Sequence, residues 1–153
     1  MDTATKRALD RLNNRLDSAV GADTSQAVRQ VIVDHVDALG QDVLQAGLRS
    51  IDDGDEILLV LPSRLVTIRV TRSPATVAFD VRSLRDATIS FETTAVGTVV
   101  NQVQSDQRWE FRFPDGATVE IRGTTRGDKV DELEAVARAA MEQTGRAVWD
   151  RAS

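Results

Sequence analysis

Apolar residues recur at the helical period near the N-terminus, and the period changes to alternation about a third of the way along. In "TATKRALDRLNNRLDSAV", Leu9, Leu12, Leu16 and Ala19 or Val20 share one face, which predicts a helix ended by Gly21. A second helix is expected from "DTSQAVRQ", with Thr24 or Ser25 as its N-cap and Val28, Val31, Ile32, Val36, Leu39, Val43 and Leu44 inward. Gly40 and Gly47 interrupt it, each at about 1 kcal/mol relative to Ala, enough to split off a short third helix. Residues 1–51 thus read as a helical hairpin, and its apolar stripes must bury against something.

Past Asp52, Asp53 and Gly54 the period is extended. Seven short runs follow, at 55–61, 65–72, 76–82, 87–93, 97–104, 108–113 and 117–123, separated by turn residues. Alternation is clear at Val66, Ile68 and Val70; at Val77, Phe79 and Val81; at Ile89 and Phe91; at Trp109, Phe111 and Phe113; and at Val119 and Ile121. The fifth run is the weakest. After Gly127 a helix returns, with Asp128 as the expected N-cap, Asp131 or Glu132 complementing its N-terminus, and Val130, Leu133, Val136, Ala137, Ala140 and Met141 on one side. Gly145 would end it, leaving Trp149 on a short tail.

The hairpin "RWEFRFPDGATVEIRG" (108–123) constrains its own register. A two-residue Asp115-Gly116 loop would send the apolar faces of its strands to opposite sides. A three-residue loop, with Pro114 and Asp115 in a type I turn and Gly116 left-handed, sets Phe111 opposite Val119 and Trp109 opposite Ile121. It also sets Glu110 opposite Glu120 and Arg108 opposite Arg122, like-charge pairs that a diagonal contact such as Arg112 with Glu120 could offset.

The strand spacing argues for an antiparallel barrel or a sandwich. Residues 55–143 also resemble the bacterial pleckstrin-homology-like and GRAM-like domains. "ILLVLPSRLVTIRV" is similar to their opening hairpin, "FDVRSLRDATISFE" to the link between a third and a fourth strand, and "FRFPDGATVEIRG" with "KVDELEAVARAAME" to the closing hairpin and capping helix. The resemblance implies a seven-stranded antiparallel barrel closed by a C-terminal helix. With the helical hairpin read from periodicity (1–51), which lies outside the resemblance, the expected chain is α+β with a barrel domain over 55–153. Two stacked antiparallel sheets with flanking helices are the alternative if the fifth run is not a strand.

In that family some members bind phosphoinositides through basic residues beside the first hairpin loop, which implies a ligand role for Arg64, Arg69, Arg72, Arg82 and Arg85. Here the loop is only "PSR" and the family's Arg spacing is absent. Residues 55–127 hold nine Arg and nine acidic residues, so no net positive field steers an anionic headgroup.

Composition narrows the classes further. The chain has no cysteine, which excludes disulfides, thiolate nucleophiles and Cys-ligated metals. Its formal charge of -5 lacks the footprint of a nucleic-acid binder. A polar N-terminus, with no apolar run of membrane-spanning length, leads to the expectation of a cytoplasmic protein. The sole histidine, His35, has no nucleophile motif beside it and reads as helix surface. Asp52, Asp53, Asp55 and Glu56 read as a turn, since they run straight into a strand where a calcium loop would need a distal Glu. "RGTTRGDK" is not a phosphate loop.

The expectation is a non-catalytic interaction module with no cofactor and no metal. Its hairpin would mediate self-association or docking to a protein partner through Leu9, Leu12, Leu16, Val28, Ile32 and Val36, with Trp149 as a further anchor. The alternative is peripheral binding to anionic lipid through the five arginines.

Overall fold

The computed structural model describes residues 1–99 and 102–144. Two helices, α1 (Thr3–Val20) and α2 (Ala22–Ala38), precede strands β1 (Gln45–Ile51), β2 (Gly54–Leu61), β3 (Arg64–Arg72) and β4 (Ala75–Ser83). Then come β5 (Thr88–Val99), β6 (Gln102–Arg112), β7 (Thr118–Arg126), the two-residue β8 (Lys129–Val130) and helix α3 (Glu132–Glu142). The strands form two four-stranded antiparallel sheets, each in sequential order, β1-β2-β3-β4 and β5-β6-β7-β8. The fold class is therefore α+β, but the expected seven-stranded barrel is not formed. The chain divides into two compact units, 1–81 and 82–153, so the expected boundary at residues 51–55 does not coincide with this division.

In the first unit, Asp2 caps α1 by accepting from the Thr5 N–H at 2.9 Å. Gly21 ends α1 and also precedes the first residue of α2, so Thr24 and Ser25 lie inside the helix rather than capping it. Ser25 has a different use. The buried Asn13 amide donates to the Ser25 carbonyl at 2.9 Å and to its hydroxyl at 2.6 Å, while Arg29 donates to Asn13 Oδ1 at 2.8 Å. This polar clasp sets the register of the two helices, because slipping either would orphan buried polar atoms.

The apolar stripe of the hairpin lies on the first sheet. Leu9, Leu12, Leu16, Val28 and Ile32 share one core with Leu48, Ile57, Leu59, Leu61, Val66, Ile68 and Val70, and Val36 packs at its margin. The short third helix expected near Gly47 is instead β1, which joins β2 through Asp52 and Asp53, with Ile51 opposite Gly54.

In the second unit the fifth predicted run has no strand of its own, since 97–104 holds the end of β5 and the start of β6. The last hairpin has the predicted register, with Phe111 opposite Val119 and Trp109 opposite Ile121. Gly116, at φ 89°, donates to the Phe113 carbonyl at 2.9 Å, and the Phe113 N–H donates to Ala117. A left-handed residue is needed at that point, and glycine takes it without a Cβ penalty.

The helix N-cap is Asp131 rather than Asp128, because residues 129–130 are spent on β8. Helix α3 packs on β7, with Val136, Ala137 and Ala140 buried, as are Trp109, Phe111 and Ile121. Trp149 lies outside the described residues.

Candidate functional site

The five arginines expected to bind an anion are divided between the two units. Arg64 and Arg72 stand at opposite ends of β3, about 26 Å apart at the strand rise per residue, and Arg82 and Arg85 belong to the second unit. Arg69, Arg72 and Arg82 each meet a carboxylate. Arg72 donates to Asp55 at 2.8 Å, Arg69 lies 3.6 Å from Glu56, and Arg82 donates to Asp115 at 2.7 Å with its guanidinium 5.3 Å from the Phe113 ring centre. A lipid phosphate would have to displace these carboxylates.

The acidic cluster at 52–56 splits in two. Asp52 and Asp53 form the exposed turn, whereas Asp55 and Glu56 are buried at the start of β2. Alternation sends them to opposite faces. Asp55 accepts from Arg15 of α1 and Arg72 of β3, each at 2.8 Å. Glu56 sits in register between Arg49 and Arg69, with Arg49 donating at 2.6 Å. Asp55 and Glu56, each shared by two arginines, form a structural network, and an anion could reach these guanidiniums only in competition with the two carboxylates. The sequence carried a signal for it, since Arg49, Glu56 and Arg69 are a cross-strand triplet once β1 is recognised as a strand.

The residues expected to form an interface are committed elsewhere. Leu9, Leu12, Leu16, Val28 and Ile32 are buried in the first unit's own core and Val36 packs against it, so the hairpin presents none of them as a free apolar face. His35 is exposed, with its Nδ1 2.8 Å from the Val31 carbonyl oxygen and its ring stacked on Phe79 at 4.6 Å. That is the helix-surface position expected of it.

The second sheet has an accessible, charged outer face. Its outer face carries the charge ladder in rows running across the strands: Thr88, Arg112 and Thr118; Ser90, Glu110 and Glu120; Glu92, Arg108 and Arg122; Thr94, Asp106 and Thr124. The like-charge pairs of β6 and β7 are compensated along each strand. Arg112 donates to Glu110 at 2.9 Å and Arg122 to Glu120 at 2.6 Å, while Arg108 reaches across to Glu92 at 3.2 Å. An open trough of about 670 Å³ runs over the last two rows, with both charge signs in its walls. Such a trough stays hydrated and selects no particular charge.

Strand β5 borders this face. Among the described residues it is the edge of its sheet, paired only with β6, and no residue from Thr88 to Thr98 is buried. Its apolar series, Ile89 and Phe91, lies on the same face as Trp109, yet Phe91 is 52% exposed while Trp109 beneath it is only 5% exposed. The two rings are tilted against each other with centres 4.4 Å apart. The sequence places Phe91 inward, which is true of its face but not of its cover: α3 lies over β7, and the edge strand is left open. Val96, the extra residue where the β5–β6 register shifts, is exposed as well.

Compared with protein-family models, with curated proteins and with solved structures, the chain matches none of them. Among the described residues no helix is long and apolar enough to cross a membrane.

Proposed function

We propose that the protein is a non-catalytic docking module that binds a protein partner through strand β5, the open edge of its second sheet. One observation carries the reading: β5 runs for twelve residues with one side unpaired among the described residues, no buried residue from Thr88 to Thr98, and an aromatic ring half in solvent. Unpaired strand edges offer a row of backbone donors and acceptors to an added strand, and alternate side chains supply selectivity. The helical hairpin has a different part. It closes the first sheet's core, and its outer face is polar.

Position-dependent photo-crosslinking tests this. Phe91, and separately the exposed Asn14 on α1, is replaced by a photoreactive phenylalanine analogue in the full chain, which is irradiated in the cells that make it. A discrete adduct from position 91 that position 14 does not give is expected. Equal adducts from both positions, or none from 91, would sink the reading.

A further inference from the structure

We propose that the partner strand on β5 is β5 of a second copy of this chain, added antiparallel about a two-fold axis at Phe91. This rests on the reading of β5 as the docking edge and names its occupant.

The four strands at sheet edges differ in how well they are protected. β8 has only two residues and carries Lys129; β1 carries Arg49, and β4 carries Asp80 and Arg82. β5 is the longest of the four, and from Thr88 to Val99 it has no Lys, Arg or Pro and a single charge, Glu92. Lysine, proline and inward charges are the usual guards against edge pairing. β5 has only its bulge, and the bulge lies beyond Ala95, leaving Thr88 to Ala95 in regular register with β6.

That regular segment selects a register. A two-fold axis perpendicular to the sheet keeps side chains on their own faces, so a residue must oppose one of the same parity in the other copy. Centring the axis on Ser90 pairs only Thr88 to Glu92. Centring it on Glu92 sets the two Glu92 carboxylates directly opposite each other, which is unfavourable.

Centring on Phe91 pairs the whole stretch from Thr88 to Thr94. Phe91 meets Phe91 of the second copy, Glu92 meets Ser90, Ile89 meets Thr93 and Thr88 meets Thr94. The two exposed rings then cover each other beside their Trp109 neighbours, and the only charge faces a hydroxyl. The segment is thus complementary to itself in length, apolar content and charge. A single strand pair is at the small end of specific interfaces, so the dimer is a concentration-dependent one.

Sedimentation velocity of the purified full chain, from about 10 µM to about 1 mM, tests the proposal together with two substitutions at the exposed Ser90. A monomer–dimer equilibrium is expected. Ser90→Lys places a cation opposite Glu92 twice by symmetry and tightens the dimer about fivefold, while Ser90→Glu loosens it about fivefold. Neither touches a buried atom, and circular dichroism confirms that both variants fold.

A chain that stays monomeric at the highest concentration overturns the proposal, as does a dimer whose affinity neither substitution moves. The mass of the adduct from position 91 separates the two levels. An adduct with a different protein, from a chain that sediments as a monomer, leaves the docking edge standing and removes the second copy. No adduct and no dimer remove both.

Discussion

A Cβ placed on Gly123 would lie 2.5 Å from the Cβ of Glu134 and 2.6 Å from that residue's backbone nitrogen and Cα. The first turn of α3 therefore lies directly on the backbone of β7, at a distance only glycine permits. The contact fixes Glu134 where it is fully buried and accepts from Trp109 Nε1 at 2.9 Å and Arg138 Nε at 3.0 Å. Sequence and packing meet here, because this contact is what holds α3, the only described helix of the second unit, over β7.

Gly123→Ala is expected to destabilise the protein by about 3 kcal/mol, the upper part of the range for overpacking, because the atoms in the way are backbone and cannot rotate aside. Arg122→Ala, one residue away and on a side chain 74% exposed, should change stability by no more than about 0.5 kcal/mol. Urea unfolding followed by far-ultraviolet circular dichroism measures both. Equal effects of the two substitutions would contradict the close approach.

The last hairpin is legible in the sequence because Pro114, Asp115 and Gly116 allow one loop length that keeps Trp109, Phe111, Val119 and Ile121 on one face. Strand β1 is not. Leu44, Leu48 and Ile51 fall at i, i+4 and i+7, which imitates a continuing helix, and only pairing with β2 across Asp52 and Asp53 decides otherwise. Once that strand is missed, the first sheet has no four-stranded form and the remaining runs read as a barrel. The exposure of Phe91 is illegible for a related reason. Alternation gives the face of a side chain, whereas its burial depends on where α3 comes to rest.

The apolar stripe of the hairpin makes an opposite prediction from that of an interface. Leu12 is 1% exposed and packs into the first unit's core, so Leu12→Ala should cost about 2–5 kcal/mol of stability without changing the association state. Val31, on the same helix pair but 39% exposed, should tolerate Ala within about 0.5 kcal/mol. Denaturant midpoints paired with light scattering distinguish the cases. A Leu12→Ala protein of unchanged stability but altered mass would restore the hairpin as an interface.

Asp55 is fully buried and held by Arg15 and Arg72, whose side chains keep 34% and 39% of their exposure. Removing the carboxylate with Asp55→Ala leaves two cations that can partly rehydrate. The expected loss is about 2–3 kcal/mol, below the ~3–5 kcal/mol of a wholly buried pair. Arg69 is more exposed and 3.6 Å from Glu56, so Arg69→Ala should cost under about 1 kcal/mol. Urea unfolding of the two variants ranks them, and the reverse order would refute the network as drawn.

The turn of the last hairpin should respond to acid through Asp115. Its carboxyl is held below the ordinary Asp range, first by the hydrogen bond from Arg82 and then by the one from the Ala117 N–H. A depressed folded-state value means the charged form stabilises the fold above the unfolded value, near pH 4, and that this contribution is lost as pH falls through the lower folded value. Asp115→Asn keeps an oxygen for Ala117 and removes the charge that Arg82 meets. The variant should therefore unfold at lower urea than the parent at about pH 6, and the gap should be smaller at about pH 3, below the unfolded carboxyl's value. Carboxylates common to both proteins cancel in the comparison. A gap of the same size at both pH values would show that the Arg82 contact acts through shape and not through charge.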